Sequence, residues 1–183
     1  MSEVTKDERR KAKSAKFGSI YGISAWGLAE GLRIDRKEAK ALIEGYFESF
    51  PQVKDFIDRQ IENVRAKGYA ETMYHRRRYL PDITSGNATV RSFAERNAVN
   101  APIQGTAADI MKLAMVRIHK RMKEEGLLSK LILQVHDELN FTVALTEKER
   151  LERLVIEEMQ SVCKMQVQLI DDSGWGKNWL EAH

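Results

Sequence analysis

An α+β fold follows from three features of this sequence. The first third strings together helix-period apolar patterns, each with its own start signal and with little strand character. The second half sets two short apolar runs, 131–135 and 140–143, on either side of a polar turn, as an antiparallel pair requires. Longer helical stretches flank those runs. The expected architecture is a helical array followed by a small antiparallel β-sheet covered by helices.

The elements follow in order. Thr5-x-x-Glu8 is a capping-box signal that opens a helix over 6–21. Gly22 and Ser24 break it before a short helix over 25–32. Asp35-x-x-Glu38 opens a third helix to about residue 47, with Ala39, Leu42, Ile43 and Tyr46 on one face. Pro51 suits a first helical turn, and Val53, Phe56, Ile57, Ile61 and Val64 carry a fourth helix to Gly68. Residues 69–73 and 77–80 read as a short hairpin ended by Pro81-Asp82. From 88 to 125 the pattern is helical again. A break or kink is expected at Asn100-Ala101-Pro102, where the ring removes a donor and crowds the preceding turn. Ile110, Leu113, Ala114 and Ile118 supply a buried stripe beyond it. Thr146-x-x-Glu149 opens a helix to about residue 164, and 167–170 is expected as a last strand. So few short strands make a thin sheet with an edge open to pairing, and the chain reads as part of a larger domain.

Composition narrows the class. Over 183 residues, 43% hydrophobic and 31% charged content describe a soluble globular chain and exclude a disordered one. No apolar run approaches the roughly 20 residues that span a bilayer, and the N-terminus lacks a signal-peptide core, so no membrane partner is expected. The single cysteine, Cys163, cannot form an internal disulfide, and no Cys/His spacing suggests zinc. That fits a reducing compartment, the cytosol. A net charge of +3 is only mildly basic. Its distribution says more: Arg9, Arg10, Lys11, Lys13 and Lys16 crowd one segment, and Arg76-Arg77-Arg78 form a second block. Such clusters attract phosphates, and solvated basic faces share the same composition.

Two segments carry candidate chemistry. In Gln134-Val135-His136-Asp137-Glu138, ionisable side chains interrupt an apolar run, and buried carboxylates there require a positive partner. A divalent cation is the usual one, whereas a merely polar hairpin turn is the plain alternative. On the first helix Arg9, Lys13, Phe17 and Tyr21 recur every four residues and form a slowly drifting stripe, cationic then aromatic. A nucleotide has that layout, a charged tail and a planar base. The competing reading makes Phe17 and Tyr21 core residues, with Arg9 and Lys13 snorkelling at the edge. Gly18 and Gly22 weaken the helix by about 1 kcal/mol each relative to alanine, which close approach of a ligand would explain.

Taken together, Arg9-Arg10-x-x-Lys13-x-x-x-Phe17-Gly18-x-x-Tyr21-Gly22 resembles motif B of the family A DNA polymerases, the bacterial DNA polymerase I type. Gln134-Val135-His136-Asp137-Glu138 is similar to their motif C. The segment from Asn100 to Asp109 and the end of the chain, Asn178-Trp179-x-x-Ala182-His183, also resemble the family. The resemblance implies a fingers subdomain over 1–84 and the carboxy-terminal part of a palm over 85–183. It implies that Arg9 and Lys13 bind the incoming dNTP's phosphates, with Lys13 able to protonate the leaving pyrophosphate. Phe17 would pack against the sugar and Tyr21 would sit by the nascent base pair. Arg96, Asn100 and Gln104 would bond template and primer through the minor groove, and His136 would lie near the primer terminus. Asp137 would bind catalytic Mg²⁺, with Glu138 a weaker ligand. A cytoplasmic, nucleoid-associated location is implied as well.

The implied chemistry needs more than these residues. Two Mg²⁺ roughly 4 Å apart take carboxylates from at least two directions. The family's other essential aspartate lies in motif A, an Asp-Tyr-Ser-x-x-Glu-type strand, and no such sequence occurs here. Asp82 and Asp109 are the nearest candidates, and neither lies on an expected strand. With the sequence opening at Met1-Ser2, the expectation is a carboxy-terminal piece of a polymerase, inactive alone. Tyr74-His75 also departs from the family, which commonly has glycine before the arginines. Two further readings stand beside this one. A nucleic-acid- or nucleotide-binding module would keep the basic helix and the Arg96, Asn100 and Gln104 face without chemistry and bind without magnesium. A self-associating chain would pair through its open sheet edge.

Overall fold

The structure, a computed structural model, describes residues 4–182. Met1 and Ser2, and His183 of the terminal resemblance, lie outside the described residues. The chain divides into two compact units, Met1–Thr106 and Ala107–His183.

The first unit is the expected helical array. Helix α1 (Lys6–Ile20) starts at Thr5, whose hydroxyl accepts the Glu8 N–H while the Glu8 carboxylate accepts the Thr5 N–H, so the capping box forms in full. Helices α2 (Ala25–Leu32) and α3 (Arg36–Ser49) begin at Ser24 and Asp35, each capping its helix with a side-chain oxygen. Ala15, Leu28, Ala29, Leu32 and Ala39 form the core of these three helices, with Leu42 and Ile43 against it. Tyr46 instead joins Phe47 and Phe50 in a ring cluster at the end of α3. Helix α4 (Pro51–Lys67) has proline in its first turn and buries Val64 alone. Val53, Phe56, Ile57 and Ile61 are half-buried. The antiparallel pair β1 (Tyr69–Glu71) and β2 (Arg77–Tyr79) follows, then a 3₁₀ turn, Pro81–Thr84. A second core gathers Val64, Ala70, Leu80, Ile83, Ala94, Ala98 and Ala101.

Helix α5 (Ala88–Glu124) corrects the expected interruption, because it runs through Pro102 without a break. The ring costs one backbone donor. Burial of Ala94, Ala98 and Ala101 before it and of Ala114, Ile118 and Met122 after it outweighs that loss. The buried stripe of the later part runs every four residues through Ala114, Ile118 and Met122, and Leu113, expected inside, is exposed.

The second unit packs that stripe against Leu151, Leu154 and Val162, with Leu139, Phe141 and Val143 half-buried on it. Strands β3 (Lys130–Val135) and β4 (Glu138–Thr142) pair antiparallel from Lys130 opposite Thr142 to Val135 opposite Glu138, with an irregularity at Ile132. Glu138 therefore belongs to β4, and the turn is His136-Asp137 alone. Two other expectations change. Thr146 does not cap a helix: Leu145–Glu147 is a 3₁₀ turn and α6 (Lys148–Ser161) follows without a side-chain cap. The stretch 167–170 is not a strand. Among the described residues each sheet has two strands, and Val167 and Ile170 stand exposed while only Leu169 reaches the core. A four-residue run that buries one side chain gains too little to order itself. A last short helix, α7 (Trp179–Ala182), ends the described chain. No described helix is long and apolar enough to cross a membrane.

Candidate functional site

The α1 stripe is solvent-facing. Helix α1 turns Ala15 and Ser19 inward, and Arg9, Lys13 and Phe17 lie exposed while Tyr21 is half-buried. Phe17 keeps 45% of its surface in solvent, which rules out a core role for it. Its ring stacks on Tyr21, with centroids 6.3 Å apart and planes 16° from parallel. The basic residues sort into two kinds. Arg10 is tied to Asp7 at 2.8 Å and Lys11 to Glu38 at 3.3 Å, whereas Arg9 and Lys13 make no ion pair among the described residues. Two cations and a stacked ring pair thus line one open face, a surface for an anion attached to a flat apolar group.

The two glycines of this segment serve the protein's own packing. A Cβ at Gly18 would come 2.6 Å from Cγ2 of Ile23, so the glycine lets the chain fold back beyond the helix. Gly22 has φ +70°, and a Cβ there would meet Cγ of Arg96 at 3.2 Å. The ligand approach expected from these glycines is therefore unnecessary to explain them.

Arg96, Asn100 and Gln104 follow one another at helix spacing along a face of α5 beside the one that buries Ala94, Ala98 and Ala101. Arg96 is exposed, bonded to the Ser92 hydroxyl at 3.2 Å and lying 5.8 Å from the Phe93 ring. Gln104 is exposed, and Asn100 is half-buried with its Oδ1 buried and without a hydrogen-bond partner among the described residues. That orphaned acceptor is costly unless a donor arrives from outside.

The second basic block runs from Arg76 into β2, whose three residues are all exposed. Arg77 bonds Glu71 at 3.2 Å and lies 4.5 Å over the Tyr69 ring. Glu71 is also 2.7 Å from Nδ1 of His75, and that contact, followed by Arg77, holds its carboxyl below the usual range. Sequence reasoning did not single out Thr72 or Thr106, which fasten this turn to α5; a hydroxyl four residues after Pro102 was the available signal.

At the β3–β4 turn His136 and Asp137 are exposed and Glu138 is half-buried. The anticipated desolvation of an acidic pair does not arise, because the hairpin tip projects into solvent. Gln134 steadies the turn by donating to the His136 carbonyl at 2.6 Å. Asp137 and Glu138 supply hard oxygen donors that suit one flank of a magnesium site. Among the described residues, however, no three His, Cys, Asp or Glu side chains come together, so these donors do not complete one. Asp82 lies in the 3₁₀ turn and Asp109 inside α5.

The family described as DNA polymerase family A matches residues 1–181. The chain belongs to that family. It is 53% identical over 180 residues to DNA polymerase I of Bacillus caldotenax and 48% identical over 180 residues to that of Bacillus subtilis, in each case over 98% of this chain. It spans only 20% of either relative's length. Among solved structures it is similar to the POL domain of Pol1 from M. smegmatis in complex with DNA primer-template and dNTP. The TM-score is 0.94 at 46% identity, over 98% of this chain and 32% of that one. Family A membership and the α+β class with small antiparallel sheets agree with the sequence expectation.

Proposed function

We propose that the chain is the fingers (1–84) and carboxy-terminal palm (85–183) portion of a DNA-directed DNA polymerase, acting on primer-template DNA and dNTPs. The observation that carries this reading is the open α1 stripe, with Arg9 and Lys13 free of ion pairs among the described residues and Phe17 stacked on Tyr21. Arg9 grips phosphate oxygens bidentately, and Lys13, a mobile ammonium, donates its proton to the departing pyrophosphate. Phe17 supports the sugar and Tyr21 the forming base pair. Arg96, Asn100 and Gln104 present donors and acceptors to the minor groove, where the orphaned Asn100 oxygen accepts a bond from DNA. His136 sits by the primer terminus, and Asp137 with Glu138 contributes one side of a two-Mg²⁺ site. When bound, that metal supplies hydroxyl activation and charge neutralisation.

The test is nucleotide binding. Titration with a fluorescent dNTP should show Lys13→Ala weakening affinity about tenfold or more, with Arg9→Ala similar. Unchanged affinity in both variants would remove the assignment of α1. The open outer edge of β3, where Ile132 is exposed, favours a second reading, pairing between copies of the chain. A light-scattering mass that does not rise with concentration would dismiss it.

A further inference from the structure

The β1–β2 turn is fastened to α5 through two buried hydroxyls and a glycine whose roles the nucleotide and DNA assignments leave unexplained. Thr106 Oγ1 donates to the Pro102 carbonyl at 2.5 Å and accepts the Met73 N–H at 3.0 Å, so one hydroxyl joins helix to turn. Thr72 Oγ1 accepts the N–H groups of Tyr74 at 3.3 Å and Arg76 at 3.2 Å. Arg76 Nη2 then donates to the Gly105 carbonyl at 3.0 Å. A Cβ at Gly105 would fall 2.6 Å from Cγ2 of Thr72, whose hydroxyl is already committed to the turn. Any side chain at 105 therefore pushes the turn off the helix.

What this clamp holds is the exposed arginine strand. The residues of β2 are all exposed, so beyond its pairing with β1 no side-chain burial fixes the strand. Yet Arg76 and Arg78 border the same cavity of about 240 Å³ as Gln104 and Gly105. We propose that Thr72, Gly105 and Thr106 are positioning residues that lock the Arg76–Arg78 block and Gln104 into one preformed surface for a primer–template duplex. The arginines face its phosphates and Gln104 its groove edge. Long cationic side chains lose rotamer freedom on binding, and a base already fixed to the helix reduces that loss. The proposal rests on the duplex-binding reading of Gln104.

The experiment measures affinity of the full chain for a fluorescent primer–template duplex across a KCl series, with circular dichroism and thermal melting confirming the fold of each variant. Thr106→Val is expected to weaken binding about fivefold and to flatten the slope of log K against log[KCl] by about 0.9, the loss of one phosphate contact. Thr106→Ser should restore both. Gly105→Ala, which removes no hydrogen-bonding group, should act in the same direction and decides the matter should Thr106→Val fail to fold. Wild-type affinity and slope in a folded Gly105→Ala or Thr106→Val, with Arg76→Ala still weakening binding, would overturn the clamp and leave the duplex reading standing. Wild-type binding in both Arg76→Ala and Gln104→Ala would overturn the duplex reading itself.

Discussion

His75 and His136 both hold left-handed backbone conformations, at φ 64° and 54°. Histidine tolerates that region better than β-branched residues do, yet the conformation still costs an L-residue about 1–2 kcal/mol. At His75 the cost is met by a type of turn in which its N–H reaches the Thr72 carbonyl at 3.0 Å and its ring reaches Glu71 at 2.7 Å. The ring itself is 84% exposed, so its contact with Glu71 is screened by solvent and adds little. His75→Gly should therefore stabilise the chain by about 0.5–1 kcal/mol, after the extra chain entropy of glycine is counted. Urea unfolding at neutral pH measures it, and a lower midpoint would mean that the Glu71 contact outweighs the backbone strain. The sequence made this position visible as a departure from the family's glycine. Its partner Glu71 was not legible, because nothing local to Tyr74-His75 says which side chain the ring will meet. His136 shares the geometry at the tip of the β3–β4 hairpin, where strain is retained beside a proposed ligand site.

At the scale of elements, the entry to β3 depends on one carboxylate. Glu147 accepts the N–H groups of Leu128 and Ser129 at 2.9 Å each and the Ser129 hydroxyl at 2.6 Å, and that hydroxyl accepts the Ala144 N–H at 3.0 Å. The Leu128 N–H first, then the two Ser129 groups, hold the Glu147 carboxyl below its usual range. A group with a lowered folded pKa stabilises the fold above its unfolded pKa and loses that contribution as pH falls through the lowered value. Melting temperature should thus drop as pH falls below the ordinary glutamate range, and Glu147→Gln should reduce the drop while lowering stability at pH 7. A variant with an undiminished drop would show that Glu147 is not the titrating anchor. The same residue explains why Thr146-x-x-Glu149 misleads: helix start signals assume local partners, and the carboxylate next door is committed 18 and 19 residues away. Pro102 misleads for a related reason. Intrinsic helix preference there is overridden by alanines buried on one face, which only the tertiary fold reveals. Capping by Thr5, Ser24 and Asp35 involves neighbours within three residues, and there the sequence sufficed.

Over the whole molecule, the candidate site divides by the same rule. The spacing of Arg9, Lys13, Phe17 and Tyr21 made a single face legible, and the exposure of Phe17 then showed that face to be open rather than packed as core. The Thr72–Thr106 clamp joins residues more than thirty positions apart, and its local trace in the sequence is a hydroxyl four residues after Pro102. Metal chemistry shows the limit from the other side. Nucleotidyl transfer with two divalent ions needs carboxylates converging from separate strands, since two dications repel unless several negative oxygens bridge them. Here Asp137 and Glu138 are adjacent on one hairpin, and among the described residues no third acidic, histidine or cysteine side chain joins them. On the proposed reading, primer binding and nucleotide binding would survive on such a chain, because phosphate contacts by Arg and Lys are local. On the two-metal reading proposed above, deprotonation of the primer hydroxyl would not, because the described residues offer one flank of donors for two ions. The 183-residue chain, given magnesium, primer–template and dNTPs, should therefore extend no primer above the level of its own Asp137→Ala variant, while still retarding the duplex at low salt. Gel-resolved extension products present in the chain and absent from Asp137→Ala would show instead that these residues assemble a working centre.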